Sequence, residues 1–474
     1  MSRENRWTQY ETAQRAGLNA LAEDYKNFLT TGKTERECVS EAVKRAKKAG
    51  FRNLEEIVKN KESLKAGDKV YAVWMKKTMA LFTVGTEPIE DGLRILGAHI
   101  DSPRLDLKQV PLYEDTELAF LDTHYYGGVK KYQWTTIPLA IHGVIAKKDG
   151  SVIDVRVGED PGDPIFCVTD LLIHLSKDQM GKTLGEAIEG ENLDLLAGSE
   201  PLAEKAGEPD AEKMENEKAS SARELVKEHV LRILKEQYDI GEADFLSAEL
   251  EIVPAGAARD LGFDRSMVAS YGQDDRVCAF ASLDAFLRVE NPEVTSCCLL
   301  TDKEEIGSVG ATGAQSHFFE NAVAELMDRC GQYSGLGLRR ALSRSKMLSS
   351  DVSAAFDPLY AAAYEKKNSA YFGHGIVFNK YTGARGKSGS NDASAEYFAW
   401  VRRVMDESGT AFQTCELGKV DVGGGGTIAY ISANYGMEVV DAGVAVLNMH
   451  APLEVTSKSD LYEARNAYRA FLQA

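Results

Sequence analysis

The sequence predicts an α/β fold with a second domain inserted into it, and three observations carry that prediction. Residues 94–101 form a nearly continuous apolar run with a polar ending, Arg94-Ile95-Leu96-Gly97-Ala98-His99-Ile100-Asp101, the pattern of a strand buried on both faces. From residue 246 onward strand-like and helix-like segments alternate, as they do in a layered α/β domain. Residues 105–245 have a different texture, with an aromatic and glycine cluster, a strand-like stretch and then a highly charged segment. The larger domain is therefore expected to comprise 1–104 and 246–474, and the insertion 105–245. A chain of 474 residues has room for two or three domains.

In order along the chain, Leu18, Leu21, Tyr25, Phe28 and Leu29 recur at three- and four-residue steps and predict a helix. Thr34 with Glu37 forms a capping box for a second helix. Apolar residues interleaved with basic ones over 69–84 predict a strand pair, and 94–101 the buried strand. Within the insertion, 152–157 reads as a strand. Between 189 and 218 acidic residues, Ala, Gly and Pro dominate, which predicts a mobile surface loop. A helix over 222–238 follows, and apolar alternation resumes at 248–253. Residues 274–287 predict a buried helix, 294–300, 346–350 and 439–447 predict strands, and a capped terminal helix starts at Ser457 with Leu461, Ala464, Tyr468, Phe471 and Leu472 on its inner face. No repeat of 20–50 residues is visible.

Composition narrows the function classes. With 44% hydrophobic and 27% charged residues the chain can bury a core and is not disordered over most of its length. The 55 Lys and Arg against 73 Asp and Glu leave a net charge of −18, which repels phosphate backbones and anionic lipid, so nucleic acid and membrane are not expected as main partners. No run of 18 apolar residues and no apolar leader is present, so the chain is expected in the cytoplasm. Its seven scattered Cys, without C-x-x-C spacing, fit reduced buried thiols rather than a disulfide framework or a thiolate zinc site.

Five short motifs carry the chemistry. His99-Ile100-Asp101 lies at a strand end, where two residues apart on a strand share a face, so His99 can bind a metal while Asp101 orients a neighbour. Glu304-Glu305, within Asp302-Lys303-Glu304-Glu305-Ile306-Gly307-Ser308, follows the next strand; one carboxylate can ligate a metal while the other acts as general base. Asp274-Asp275 opens the apolar helix, where ordinary capping is the plainer alternative. Ser350-Asp351 ends a short strand, where most Asp residues only start a turn. Met449-His450 with Glu454 follows the last strand. Singly each is equally an ordinary structural feature. Together they are His and carboxylate without Cys, a donor set that suits zinc, cobalt or manganese in a hydrolytic site. Two His and three carboxylates can hold two metals about 3.5–4 Å apart if one carboxylate bridges.

The order His99-x-Asp101, Asp274-Asp275, Asp302-x-Glu304-Glu305-x-Gly307-Ser308, Ser350-Asp351 and Met449-His450 with Glu454 resembles the aspartyl aminopeptidase family, metallopeptidase family eighteen. The likeness extends to Tyr126-Gly127-Gly128, Trp134, Gly143, Ile173-His174-Leu175, Gly426-Thr427-Ile428 and Asp441-x-Gly443. The resemblance implies a mixed central sheet with helices on both faces, in the manner of zinc aminopeptidases, and an inserted, mainly β dimerisation domain. It implies two zinc ions, one on His99 and Asp351 and a second on Glu305 and His450, bridged by Asp274. Glu304 would be the general base, with Asp101 acting from behind His99. It further implies peptide substrates with a free N-terminus and dimers assembled into a tetrahedral dodecamer. There a histidine matching His174 reaches a neighbour's active site to stabilise the developing oxyanion.

The family's preference for an acidic first residue goes with a Lys on a strand. Here Asn379 takes that place, with Lys380 and Arg385 nearby as substitutes, and Asp275 replaces a usual Asn. Two other readings remain at this stage. One is a related dimetal carboxypeptidase or deacylase; the other is a noncatalytic peptide-binding scaffold in which metals only hold the fold. The run Asp421-Val422-Gly423-Gly424-Gly425-Gly426-Thr427 lacks the Gly-Lys-Ser/Thr of a phosphate loop and predicts close backbone access for substrate instead.

Overall fold

The computed structural model of the chain describes residues 4–203, 224–383 and 385–474. It divides into two compact units, Met1–Ser102 with Ala257–Ala474, and Pro103–Gly256. The second crossover thus falls about ten residues beyond the expected 245/246. The strand Ala248–Pro254 pairs antiparallel along its whole length with Leu139–Ala146, so its apolar alternation serves the inserted sheet and not the larger one.

The larger unit is built on a nine-stranded mixed sheet in the order Arg52–Asn53, Lys69–Trp74, Thr78–Thr83, Ser296–Thr301, Arg94–His99, Lys346–Ser349, Glu438–Gly443, Ile376–Asn379, Phe412–Thr414. Four neighbouring strands at its centre, from Ser296–Thr301 to Glu438–Gly443, run parallel. Parallel strands must be covered on both faces, and the sequence supplies that cover residue by residue. Leu96, Ala98, Cys298, Leu300, Leu348, Val440 and Ala442 enter one core; Ile95, Cys297, Leu299, Met347 and Val439 enter the other. The period of two assigns alternate side chains to opposite layers.

The first core is roofed by Thr12–Thr31, Glu35–Lys48, Gln273–Leu287, Ala395–Ser408 and Lys458–Leu472, and the second by Phe318–Arg329 and Gly335–Arg344. The Thr34 and Glu37 capping box starts Glu35–Lys48 as expected. Ser457 precedes the last helix without a side-chain capping bond. Gln273–Leu287 is buried from its first residue to Phe286, as its apolar residues Val277, Cys278, Ala279, Phe280, Ala281, Leu283, Ala285 and Phe286, spread around the helix, require. Phe280 is its centre, within 5.3 Å of Tyr25 and 5.5 Å of Phe28, ring to ring. Phe280→Ala is expected to cost about 3–5 kcal/mol in urea unfolding, read as a lower midpoint at unchanged slope.

A second, five-stranded sheet joins Arg259–Leu261, Met267–Ser270, Glu454–Ser457, Ala445–Leu447 and Ser353–Ala354. The segment expected as one strand over 439–447 is therefore two strands in two sheets. The break comes at Gly443, where a β-carbon would lie 1.7 Å from the carbonyl oxygen of Asp351, so the backbones approach as only glycine permits.

The inserted unit is a six-stranded antiparallel sheet in the order Val152–Val157, Leu139–Ala146, Ala248–Pro254, Arg104–Asp115, Leu118–Tyr126, Leu195–Gly198. The helix Leu225–Tyr238 buries Val226 in this unit. The acidic loop expected over 189–218 is interrupted by the strand Leu195–Gly198, whose Leu195 is fully buried and supplies an edge that composition alone obscures. Residues 204–218 of that expectation lie outside the described residues. Among the described residues no helix is long and apolar enough to cross a membrane.

Candidate metal centre

Open parallel sheets bind ligands beyond the carboxyl ends of their strands. Here Thr301 pairs with His99, and Ser349 with both Gly97 and Asp441, so four chain segments leave the central sheet at nearly one level. Beyond Thr301 the chain makes the short turn Glu304–Ile306; beyond Ser349 it reaches Asp351 before Ser353–Ala354 joins the second sheet. That second sheet brings in the other donors. Asp274 follows the strand Met267–Ser270, and His450 lies between Ala445–Leu447 and Glu454–Ser457. The arrangement needs Gly272 at φ +68°, where a β-carbon would meet the Arg276 guanidinium. Asp274 itself is not helical, at φ −81° and ψ 109°, and neither Asp274 nor Asp275 makes the capping bond that was the plainer reading.

The five residues expected as ligands converge. The two carboxylate oxygens of Asp274 face two different histidines: Oδ1 lies 3.3 Å from His99 Nε2 and Oδ2 lies 3.3 Å from His450 Nε2. Asp351 Oδ1 is 3.9 Å from the same nitrogen of His99, and Glu305 Oε2 is 3.5 Å from that of His450. Donor atoms of His99, Asp274 and Asp351 lie within 4.8 Å of one another, as do those of Asp274, Glu305 and His450, and those of His99, Glu304 and Glu305. The pocket opens at His450, whose side chain keeps 36% exposure against 4% for Glu305 and Asp274.

Other groups aim these donors. Asp101 Oδ1 sits 3.2 Å from His99 Nδ1, which leaves Nε2 facing the cluster, and its two oxygens accept the main-chain N–H groups of Glu304 and Glu305, both at 3.1 Å. Asp275 Oδ2 accepts the His99 N–H at 3.3 Å. The Glu304 turn is closed from behind by Thr312, whose hydroxyl donates to Asp302 Oδ2 at 2.5 Å. Ser102 Oγ donates to the Asp274 carbonyl at 2.7 Å. Ser102 and Thr312 escape sequence reasoning, because their partners, Asp274 and Asp302, lie 172 and 10 residues away in the chain.

The electrostatics fit a divalent cation. Burial raises the carboxyl groups of Asp275, Glu305 and Asp351 well above the ordinary carboxylate range, and the charge of Asp274 adds to this for Glu305. Burial, with the charges of Asp101 and Asp274, pushes Glu304 up to about 7. Burial opposes a charge on His99, yet its hydrogen bonds to Asp101 and Asp274 win and raise it. Burial likewise disfavours the charged form of Asp274, but hydrogen bonds to His450 and His99 outweigh it and hold this carboxyl below its usual range. A buried group of acids whose one strongly ionised member lies between two imidazoles has the oxygen and nitrogen donors of a metal site.

Other expected residues lie elsewhere. His174 is in the inserted unit and is exposed rather than packed in a core, amid Leu172, Ile173 at 70% exposure and Leu175 at 66%. Lys380 Nζ is held by Asp392 Oδ1 at 2.6 Å. Arg385 lines a cavity of about 220 Å³ together with Lys387, Glu416 and Lys419, and none of the cluster's donor residues lines it. Asn379 is buried and accepts a hydrogen bond from Ser353 at 2.8 Å. In the glycine-rich run, Thr427 Oγ1 donates to the buried Asp441 at 2.7 Å, and the Gly425 carbonyl accepts the Gly383 N–H at 2.7 Å.

Comparison with known proteins bears on this geometry. Residues 28–472 match the family model described as aminopeptidase I zinc metalloprotease, M18. The chain is 59% identical over 468 residues to a probable M18 family aminopeptidase 1 of Clostridium acetobutylicum, covering 99% of this chain and 97% of that one. It is similar, with a TM-score of 0.92 and 43% identity, to the crystal structure of an M18 family aminopeptidase from Thermotoga maritima, covering 100% and 99% of the two chains. At 20% identity and a TM-score of 0.74, covering 95% of each chain, it shares its fold with the S. cerevisiae mApe1 dodecamer.

Proposed function

The chain belongs to the M18 family of zinc metalloproteases and is an aminopeptidase, and from that premise we propose how its own residues release an N-terminal amino acid. One observation carries the reading: Asp274 turns its two oxygens toward two histidines, each of which has a second carboxylate beside it. His99 and Asp351 would hold one divalent cation and Glu305 and His450 another, with Asp274 shared. Zinc suits this donor set best, and cobalt and manganese are compatible with it. Cations bound there would polarise the scissile carbonyl and bring the pKa of water down toward about 7.

The remaining work falls to side chains. Glu304 takes a proton from the attacking water on its carboxylate and returns it to the nitrogen of the leaving amine as the C–N bond breaks. Asp101, bonded to His99 and to the Glu304 and Glu305 amides, keeps base and ligands in register. The free α-ammonium group of the substrate is received by the acids around the cluster. This separates an aminopeptidase from a dimetal carboxypeptidase or deacylase. We expect the metal-loaded enzyme to cleave a peptide with a free amine and to fail on its N-acetylated twin, in a peptidase assay of the pair with zinc, cobalt or manganese restored to stripped protein. Equal cleavage of both would overturn the reading.

An acidic first residue is the substrate class the family resemblance suggests. Arg385 or Lys380 would supply the cation for such a side chain; Lys380 is engaged by Asp392, and Asn379 by Ser353. Rates on acidic and neutral aminoacyl-amides decide the preference. A homo-oligomer, with dimers built through the inserted domain into a tetrahedral dodecamer, is supported by the exposed apolar segment around His174 and by the dodecamer described for the yeast protein of the same fold. In such an assembly His174 would reach a neighbour's site and stabilise the oxyanion. Cysteines that are free thiols throughout support a reducing, cytoplasmic setting.

A further inference from the structure

Glu454 is not one of the five donors, yet its side chain joins two of the segments that carry them. Its Oε2 accepts the main-chain N–H of Asp274 at 3.0 Å and its Oε1 accepts that of His450 at 2.8 Å. The residue is buried, with 1% exposure, at the start of the strand Glu454–Ser457, directly opposite Ser270 in the antiparallel pair. Its own backbone is pinned as well: Gln273 Nε2 donates to the Glu454 carbonyl at 2.7 Å, and Gln273 Oε1 accepts from Tyr25 at 3.0 Å and Thr456 at 2.6 Å. A fixed carboxylate therefore spans two main-chain amides at places where the chain is irregular, His450 lying at φ +65° and Asp274 outside helical geometry. Two main-chain N–H groups accepted by one buried, immobile side chain are held at a fixed distance from each other.

We propose that Glu454 is a positioning residue that sets the spacing of Asp274 and His450 and thereby the affinity of the Asp274, Glu305 and His450 cation site. It acts through the main chain and touches neither the cation nor the substrate. The inference rests on the two-cation reading and refines it. His99 and Asp351 receive no bond from Glu454, so the site they form shares only Asp274 with it. Glu454→Gln replaces one acceptor oxygen by an NH2 group that faces an amide donor, so one of the two anchors is lost.

The test is a zinc titration of the stripped, full-length protein against a chromophoric chelator. The wild type is expected to bind in two steps. E454Q is expected to keep one step near its wild-type affinity and to weaken the other about 10–100-fold, the usual effect of losing a group behind a metal ligand. General destabilisation would not split the two steps. Two unchanged steps in E454Q would overturn the role of Glu454 and leave the two-cation reading standing, and equal weakening of both would overturn its selectivity. A wild type that binds no second ion would defeat the two-cation reading and this inference with it. Should E454Q not fold, E454D keeps the carboxyl group but is one methylene too short to reach both amides, and the same split is expected of it.

Discussion

Glu304→Gln is expected to bind metal as the wild type does and to lose nearly all turnover. The substitution keeps the shape of a side chain whose carboxylate is not needed by either three-donor group that includes Asp274. It removes the group that takes and returns the proton, a contribution of about 10²–10⁴ in rate. The loss should fall on kcat, with KM little changed, because the interaction is made in the transition state and not in the bound ground state. Metal content by elemental analysis and steady-state kinetics on the same preparation check both halves. A variant of wild-type activity would remove Glu304 from the mechanism.

Asp274→Ala should be at least as damaging, by a different route. Asp274 is the contact common to both halves of the cluster, 3.3 Å from each histidine, so its loss takes an oxygen from each cation site at once. It also leaves Glu305 and Asp351 as buried acids beside an empty space. Bound metal and activity are expected to disappear together. The stability effect has a distinctive signature. A ligand at 100 times its Kd stabilises a folded protein by about 2.7 kcal/mol, so added zinc should raise the Tm of the stripped wild type but leave that of Asp274→Ala where it is. A zinc-dependent rise in the variant would mean that Asp274 is not shared.

Much of this site was legible because its residues sit where strands end. His99, Asp351 and the Glu304-Glu305 pair follow apolar runs that read as buried strands, and it is their recurrence at several such ends, beyond which α/β sheets bind ligands, that singles them out. The second sheet was not legible. Its strands are two to four residues long and come from 259–261, 267–270, 353–354, 445–447 and 454–457, too short for an alternation to declare itself and paired across up to two hundred residues. For the same reason residues 439–447 read as one strand although the chain changes sheets at Gly443. The edge of the insertion was misplaced because the alternation over 248–253 is equally at home in either sheet; only its pairing with Leu139–Ala146 assigns it. Glu454 could be named as part of a motif, but its partners 180 and 4 residues away are main-chain amides, which leave no trace in side-chain identity.

The account stands on two divalent cations held by His99, Asp274, Glu305, Asp351 and His450. The measurement that tests it most directly is metal content of the active, full-length enzyme combined with anomalous diffraction at the metal edge. Two ions per chain, about 3.5–4 Å apart and with the Asp274 carboxylate between them, are the result expected. Fully active enzyme with that pocket empty, or with one ion that does not touch Asp274, would contradict it.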